Sequence, residues 1–309
     1  MPTFPLRRRR PAPAGTAIVA LAAVLTAGAG RPARAQSEPR DRHVYVTVLD
    51  RADRPVTDLK LSEVSVKEDG KAREIVSVRP AASPQQIALL VDDTQAAQAA
   101  TVEIRQGLTS FVQAVAAANR DTEMALWTFG ERPTKQIDFT TSAAALTRMA
   151  NTYFPRNGAG SYFMEAVLDV CDEFKSRGAT RPILVAFLFE DGPEFSSAPE
   201  SADIEALKSA GASLWTIVVQ GHTDPTGVQV EKRDRMTLID DDARASGGSS
   251  KMILDRLALD AAYRHVADFV TSQVDITYAR PDRTIPPSRM EVKVSRPGVT
   301  VLSPQWAGR

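Results

Sequence analysis

The sequence predicts an α/β fold: a doubly wound, mostly parallel sheet of Rossmann-like type accompanied by a small antiparallel β module. Two nearly unbroken apolar runs carry the first half of that reading. Residues 87–91 (IALLV) and 183–189 (ILVAFLF) are short and apolar throughout, as parallel strands covered on both faces must be. Both runs stop abruptly at acids, Asp92-Asp93-Thr94 after the first and Glu190-Asp191-Gly192 after the second. The second half rests on residues 43–78, where apolar and polar positions alternate around an Asp69-Gly70 turn.

Residues 1–35 read as a secretion signal and stand outside the fold. Arg7 to Arg10 form a basic start, residues 16–29 an Ala-rich apolar stretch, and Ala33-Arg34-Ala35 a small-x-small cleavage pattern before Gln36. Periplasmic or extracellular residence follows. No later run approaches 18 consecutive apolar residues, so no transmembrane segment is expected in the mature chain. The signal removes six Arg and no acid, leaving 32 basic against 38 acidic residues, a net charge of −6. That balance disfavours nucleic acid and anionic membranes as partners. The single Cys171 excludes an internal disulfide and sits at helical spacing among Ala166, Val167 and Phe174, as a buried thiol would.

The elements follow in order. Strands are expected over 43–49, 63–68 and 73–78, making residues 41–82 the N-terminal β module, with Pro80 to Pro84 as linker. Residues 86–273 then alternate strand and helix. Ile104, Leu108, Phe111, Val112 and Val115 share one helical face, 124–129 and 136–139 read as strands, and 142–150 as a short helix. Gly158-Ala159-Gly160 marks a tight loop before a helix over 162–177, the strand 183–189, a helix 201–210 stopped by Gly211, and a strand 213–219. The polar, Gly-containing stretch 221–250 reads as a surface excursion with a short helix near 236–245. A last amphipathic helix carries Leu259, Ala262, Val266, Phe269 and Val270. Strands 274–278 and 290–294, within a C-terminal segment 274–303, resume the opening alternation and are expected to pack with the N-terminal module.

In open α/β sheets ligands collect at strand tips where the strand order reverses, which would set Asp92 and Asp191 side by side. Neighbouring residues of a strand face opposite ways, so one acid of each pair addresses a given site. Thr94 and Ser161 would lie above them, completing a set of hard oxygen donors suited to Mg²⁺, Mn²⁺ or Ca²⁺. Two solvated strand ends are the alternative on pattern alone.

The order of VTVLDRADRPVTDLKLSEVSVKEDGKAREI, VDDT, GAGSYFMEAV, LFEDGPEFSS and a late SGG resembles a von Willebrand factor A (VWA) domain, and more narrowly the VWA-related secreted proteins of acidobacterial type, over roughly residues 43–295. The resemblance implies a non-enzymatic protein-interaction domain, for adhesion or assembly, with a metal-ion-dependent adhesion site (MIDAS). That site is built from Asp-x-Ser-x-Ser, a distant Thr and a distant Asp. Carried across, Asp92 takes the first Asp, Thr94 the first Ser, Ser161 the Thr and Asp191 the last Asp, while Ala96 stands where the second Ser would be. A degenerate divalent site results, in which water can replace one donor. The resemblance leaves one coordination position for an acidic residue of a protein partner.

Two other functions compete. A metal-independent interaction scaffold on the same fold needs none of these donors. An envelope phosphohydrolase with Asp92 as nucleophile is a weaker fit, because Asp92 and Asp93 are adjacent rather than spaced as Asp-x-Asp and no distant Lys motif accompanies them. His43, His222 and His265 are scattered without zinc spacing, and NGAGSY lacks the GK[ST] of a phosphate loop. Asp240 to Asp242 are expected to cap or solvate a short helix. Trp127 and Trp215 lie in apolar runs as core residues, whereas Trp306 near the C-terminus is open to exposure.

Overall fold

The computed structural model describes residues 39–221, 230–281 and 287–306. The secretion signal read from residues 1–35 and His222 lie outside them.

A six-stranded mixed sheet forms the centre of the α/β portion. It comprises β4 (Gln86–Val91), β5 (Glu123–Thr128), β6 (Thr134–Thr140), β7 (Pro182–Phe189), β8 (Ser213–Val219) and β9 (Ser249–Ile253), in the order β6-β5-β4-β7-β8-β9. The pairs from β5 through β9 are parallel, and β6 closes one edge antiparallel to β5. Period-two alternation sorts each apolar strand between two cores. Ile87, Leu89 and Val91 join one core with Ile183 and Val185, while Ala88 and Leu90 join the other with Leu184 and Ala186.

Helices cover both faces. α1 (Thr101–Ala118), α2 (Ala143–Thr152) and α7 (Leu259–Thr271) pack on the first core through Leu108, Phe111, Leu146, Val266 and Val270. α1 and α7 approach closely at Gly107, where an added Cβ would lie 2.4 Å from Cδ2 of Tyr263. α3 (Phe163–Ser176) and α4 (Glu200–Ala210) cover the second core with Val167, Val170, Cys171, Phe174 and Leu207. α4 ends because Gly211 takes the left-handed conformation, φ 66°, and donates its N–H back to Lys208 O.

Within the stretch expected to be a surface excursion, residues 236–245 instead join this second core. α5 (Val230–Thr237), a π-helical turn (Leu238–Asp242) and α6 (Ala243–Ala245) run into one another, and Leu238, Ile239 and Ala243 are fully buried. The sequence there is polar on average, yet Met236, Leu238, Ile239 and Ala243 all pack against this core. β9 follows it and was missed because SSKMI holds only two apolar residues and lies at a sheet edge.

The second sheet is antiparallel and draws on both ends of the described chain. β1 (Pro39–Leu49), β2 (Val64–Glu68), β3 (Lys71–Pro80), β10 (Val274–Pro281), β11 (Met290–Val294) and β12 (Thr300–Leu302) lie in the order β11-β2-β3-β10-β1-β12. β10 sits between β1 and β3, its Ile276 opposite Val44 on one side and Val78 on the other. Val44, Val46, Val48, Val66, Ile276 and Tyr278 make its core. Trp306, expected to be open to exposure, is buried at 6 % and packs on the second core beneath Lys208.

For function the decisive feature is the reversal of strand order at β4. The chain steps from β4 to β5 in one direction and from β7 to β8 in the other, so the tips of β4 and β7 mark the switch point at which such sheets open a crevice for ligands.

Candidate functional site at the tips of β4 and β7

Asp92 continues β4 and is buried at 2 % exposure. Its N–H donates to Phe187 O at 3.0 Å, and its carboxylate accepts the N–H of Phe189 at 3.0 Å and of Thr94 at 2.9 Å. One side chain thus ties the end of β7 to the loop after β4. Burial raises its pKa, opposed by the Phe189 and Thr94 hydrogen bonds and by the charge of Arg235. Asp93 faces elsewhere, accepting from Gly130 N at 2.6 Å and from Arg156 Nε at 2.9 Å. Gly130 is required there, since a Cβ would fall 2.7 Å from Asp93 Oδ1. Thr94 is buried beside Asp92.

Ser161 is held between two strand-like segments, bridged to Gly130 on one side and Glu194 on the other. Its hydroxyl donates at 2.6 Å to Glu194 Oε2. Glu194 was not anticipated, and it is the acid around which the crevice is organised. It is 2 % exposed, and its Oε1 accepts from Ser196 Oγ at 2.5 Å and from Phe163 N at 3.1 Å. Its Oε2 accepts additionally from Arg235 Nη1 at 3.3 Å. Burial raises the Glu194 pKa against the pull of Ser161, Ser196 and Arg235.

Arg235 is the second residue that sequence reasoning missed. It projects from α5, is 1 % exposed, and donates from Nη2 to Glu190 O at 2.9 Å as well as to Glu194. A signal for it exists in the chain: Arg235, Leu238, Ile239 and Asp242 recur at i, i+3, i+4 and i+7, the spacing of a buried helical face. Glu190 turns its carboxylate to Gly221 N at 3.0 Å. Asp191 is half-buried against Gly221, where a Cβ would lie 2.1 Å from Asp191 Oδ1.

The expected donors are already engaged within the chain. Ala96 supplies no oxygen, both Asp92 oxygens accept backbone N–H groups, and the Ser161 hydroxyl is turned to Glu194. Among the described residues no three His, Cys, Asp or Glu side chains converge so as to hold a metal ion. The cation beside these donors is the Arg235 guanidinium.

No family model and no curated protein matches the chain. Solved structures similar to it are von Willebrand factor type A domains. A von Willebrand factor type A protein from Catenulispora acidiphila is 10% identical with a TM-score of 0.49, over 89% of this chain and 74% of that one. The pilus adhesin SpaC from Lactobacillus rhamnosus GG, in an open conformation, is 10% identical with a TM-score of 0.49, over 80% and 47%. Proximal thread matrix protein 1 from the mussel byssus, with a zinc-occupied MIDAS motif, is 16% identical with a TM-score of 0.49, over 66% and 49%. The chain spans about half the length of the latter two. At such scores and identities, what this chain does is decided by its own strand order and side chains.

Proposed function

We propose that the chain is a secreted, non-enzymatic protein-interaction domain of VWA type, with a doubly wound sheet, whose binding face is the rim above β4 and β7 and works without a divalent ion. The observation that carries this reading is the buried Arg235–Glu194 pair, which places a permanent positive charge among the residues expected to ligate metal. On this reading Asp92, Thr94, Ser161 and Asp191 shape the crevice and fix its loops rather than coordinate Mg²⁺, Mn²⁺ or Ca²⁺. Among the described residues no helix is long and apolar enough to cross a membrane.

The rim offers an aromatic surface for a protein partner. Phe154 is 71% exposed and Phe195 52%. A contact chain joins them: Phe195 lies over Gly160, Gly160 O accepts Glu131 N, and Glu131 pairs at 3.1 Å with Arg156, two residues beyond Phe154. Exposed aromatic side chains on a rigid frame are the usual anchors of protein interfaces. The test is capture of partners from envelope and culture-medium fractions on the immobilised domain. The same proteins should be retained with and without EDTA, and the Phe154→Ser/Phe195→Ser variant should retain at least tenfold less. Capture that EDTA abolishes, or that the double variant leaves intact, contradicts the proposal.

A further inference from the structure

A cavity of about 760 Å³ lies at the opposite end of the mixed sheet, beside the start of β7 and the flank of β1. Seven residues of β7 separate its edge from the Asp92 crevice, about 23 Å at the rise of a strand. Arg181, immediately before β7, lines it and is 3 % exposed. Nη1 donates to Ser83 O at 2.6 Å and Nη2 to Gln273 Oε1 at 2.9 Å, while the guanidinium rests 4.8 Å from the Tyr45 ring centroid. Every one of these partners is neutral. Nε of Arg181 is buried with no partner, and so is Nε of Arg42, which lines the same cavity.

Counter-charge nearby is already committed. Asp275 is held by His43 Nδ1 at 2.9 Å and by Arg79 at 3.4 Å. Asp41 is the one acid of the lining, against Arg42, Arg181 and Lys175, and it is exposed. A buried guanidinium facing only neutral partners is costly, and burial pushes the Arg181 pKa down to about 10. Tyr45, Tyr278 and Trp306 supply aromatic wall, and the volume falls in the range of small-molecule sites.

We infer that this cavity binds an organic carboxylate with an aromatic or apolar body, its anionic group held by the positive charge of Arg181 and Arg42 in the cavity wall. Such a group can come from a free organic acid or from the C-terminus of a peptide ending in an aromatic residue. Calorimetric titration of the full mature chain with phenylacetate and with N-acetyl-Gly-Gly-Phe, each against its neutral amide, tests the site and separates the sources. The expected result is saturable binding of at least one acid, with at least tenfold loss in its amide and in Arg181→Gln. Tighter binding of phenylacetate assigns the free acid, and tighter binding of the peptide assigns the chain terminus. Arg181 also anchors Ser83 and Gln273, so Arg42→Gln provides a milder variant, in which affinity should fall about threefold. Binding of neither acid, equal binding of acid and amide, or undiminished binding by Arg42→Gln overturns the inference.

Discussion

Replacing Arg235 with methionine is expected to cost about 3–5 kcal/mol of stability and to lower the thermal midpoint by about 10 °C. The side chain is 1 % exposed and its partner Glu194 is likewise buried. Methionine fills a similar volume but leaves Glu194 without its counter-charge, and leaves Glu190 O without that donor. Most of the loss comes from the stranded carboxylate. Adding Glu194→Gln should therefore recover about 2 kcal/mol, since replacing both members of a buried pair is far cheaper than removing one. Denaturant melts of the two single variants and the double variant give the coupling directly. A loss under ~1 kcal/mol in Arg235→Met would show that the pair does not organise the crevice.

The second large effect concerns pH and arises on the neighbouring helix. Asp203 on α4 is fully buried, and neither of its carboxylate oxygens has a hydrogen-bond partner. Burial pushes its pKa up to about 9, and the acids Glu165, Asp242, Glu194 and Glu200 add to the shift. Asp242 is raised to about 7 by burial and by Glu200. In the unfolded chain both carboxyls lose their protons near pH 4, whereas in the native state they keep them well above it. The native state therefore binds more protons between about pH 4 and 9, and stability falls as pH rises through that window. Asp203→Asn fixes the neutral form. It should match the wild type near pH 5 and exceed it by about 2–4 kcal/mol at pH 8, with a flatter stability–pH slope. Comparing the two proteins cancels the contributions of other acids. Equal slopes would mean that Asp203 is ionised in the native state.

The sequence carried the architecture where burial was uniform. The runs at 87–91 and 183–189 became β4 and β7 because strands covered on both faces admit little but apolar side chains. The Asp69-Gly70 turn joins β2 to β3 because both residues take positive φ, 47° and 77°. The places of Asp92, Thr94 and Ser161 at the ends of recognisable segments could also be read, though their role could not. The acid that Ser161 meets was not legible. Spacing after β7 favoured Asp191, whereas the chain turns at Gly192, φ 95°, and brings Glu194 back beneath the Ser161 hydroxyl. Arg235 escaped because average composition hid it. Residues 230–237 (VEKRDRMT) look solvated, and only the periodicity with Leu238, Ile239 and Asp242 reveals the inward face. A charged residue buried against a partner remote in sequence leaves little local trace.

The claim on which this account turns is that a guanidinium built into the chain occupies the ground a metal would otherwise hold. Thermal midpoints of the mature protein with ~5 mM MgCl₂, MnCl₂ or CaCl₂, each against EDTA, test it most directly. An ion that binds the native state at a hundred times its Kd adds about 2.7 kcal/mol, several degrees for a chain of this size. The account predicts midpoints agreeing within about 1 °C under all four conditions. A rise of several degrees with any of the ions, abolished in Asp92→Ala, would contradict it.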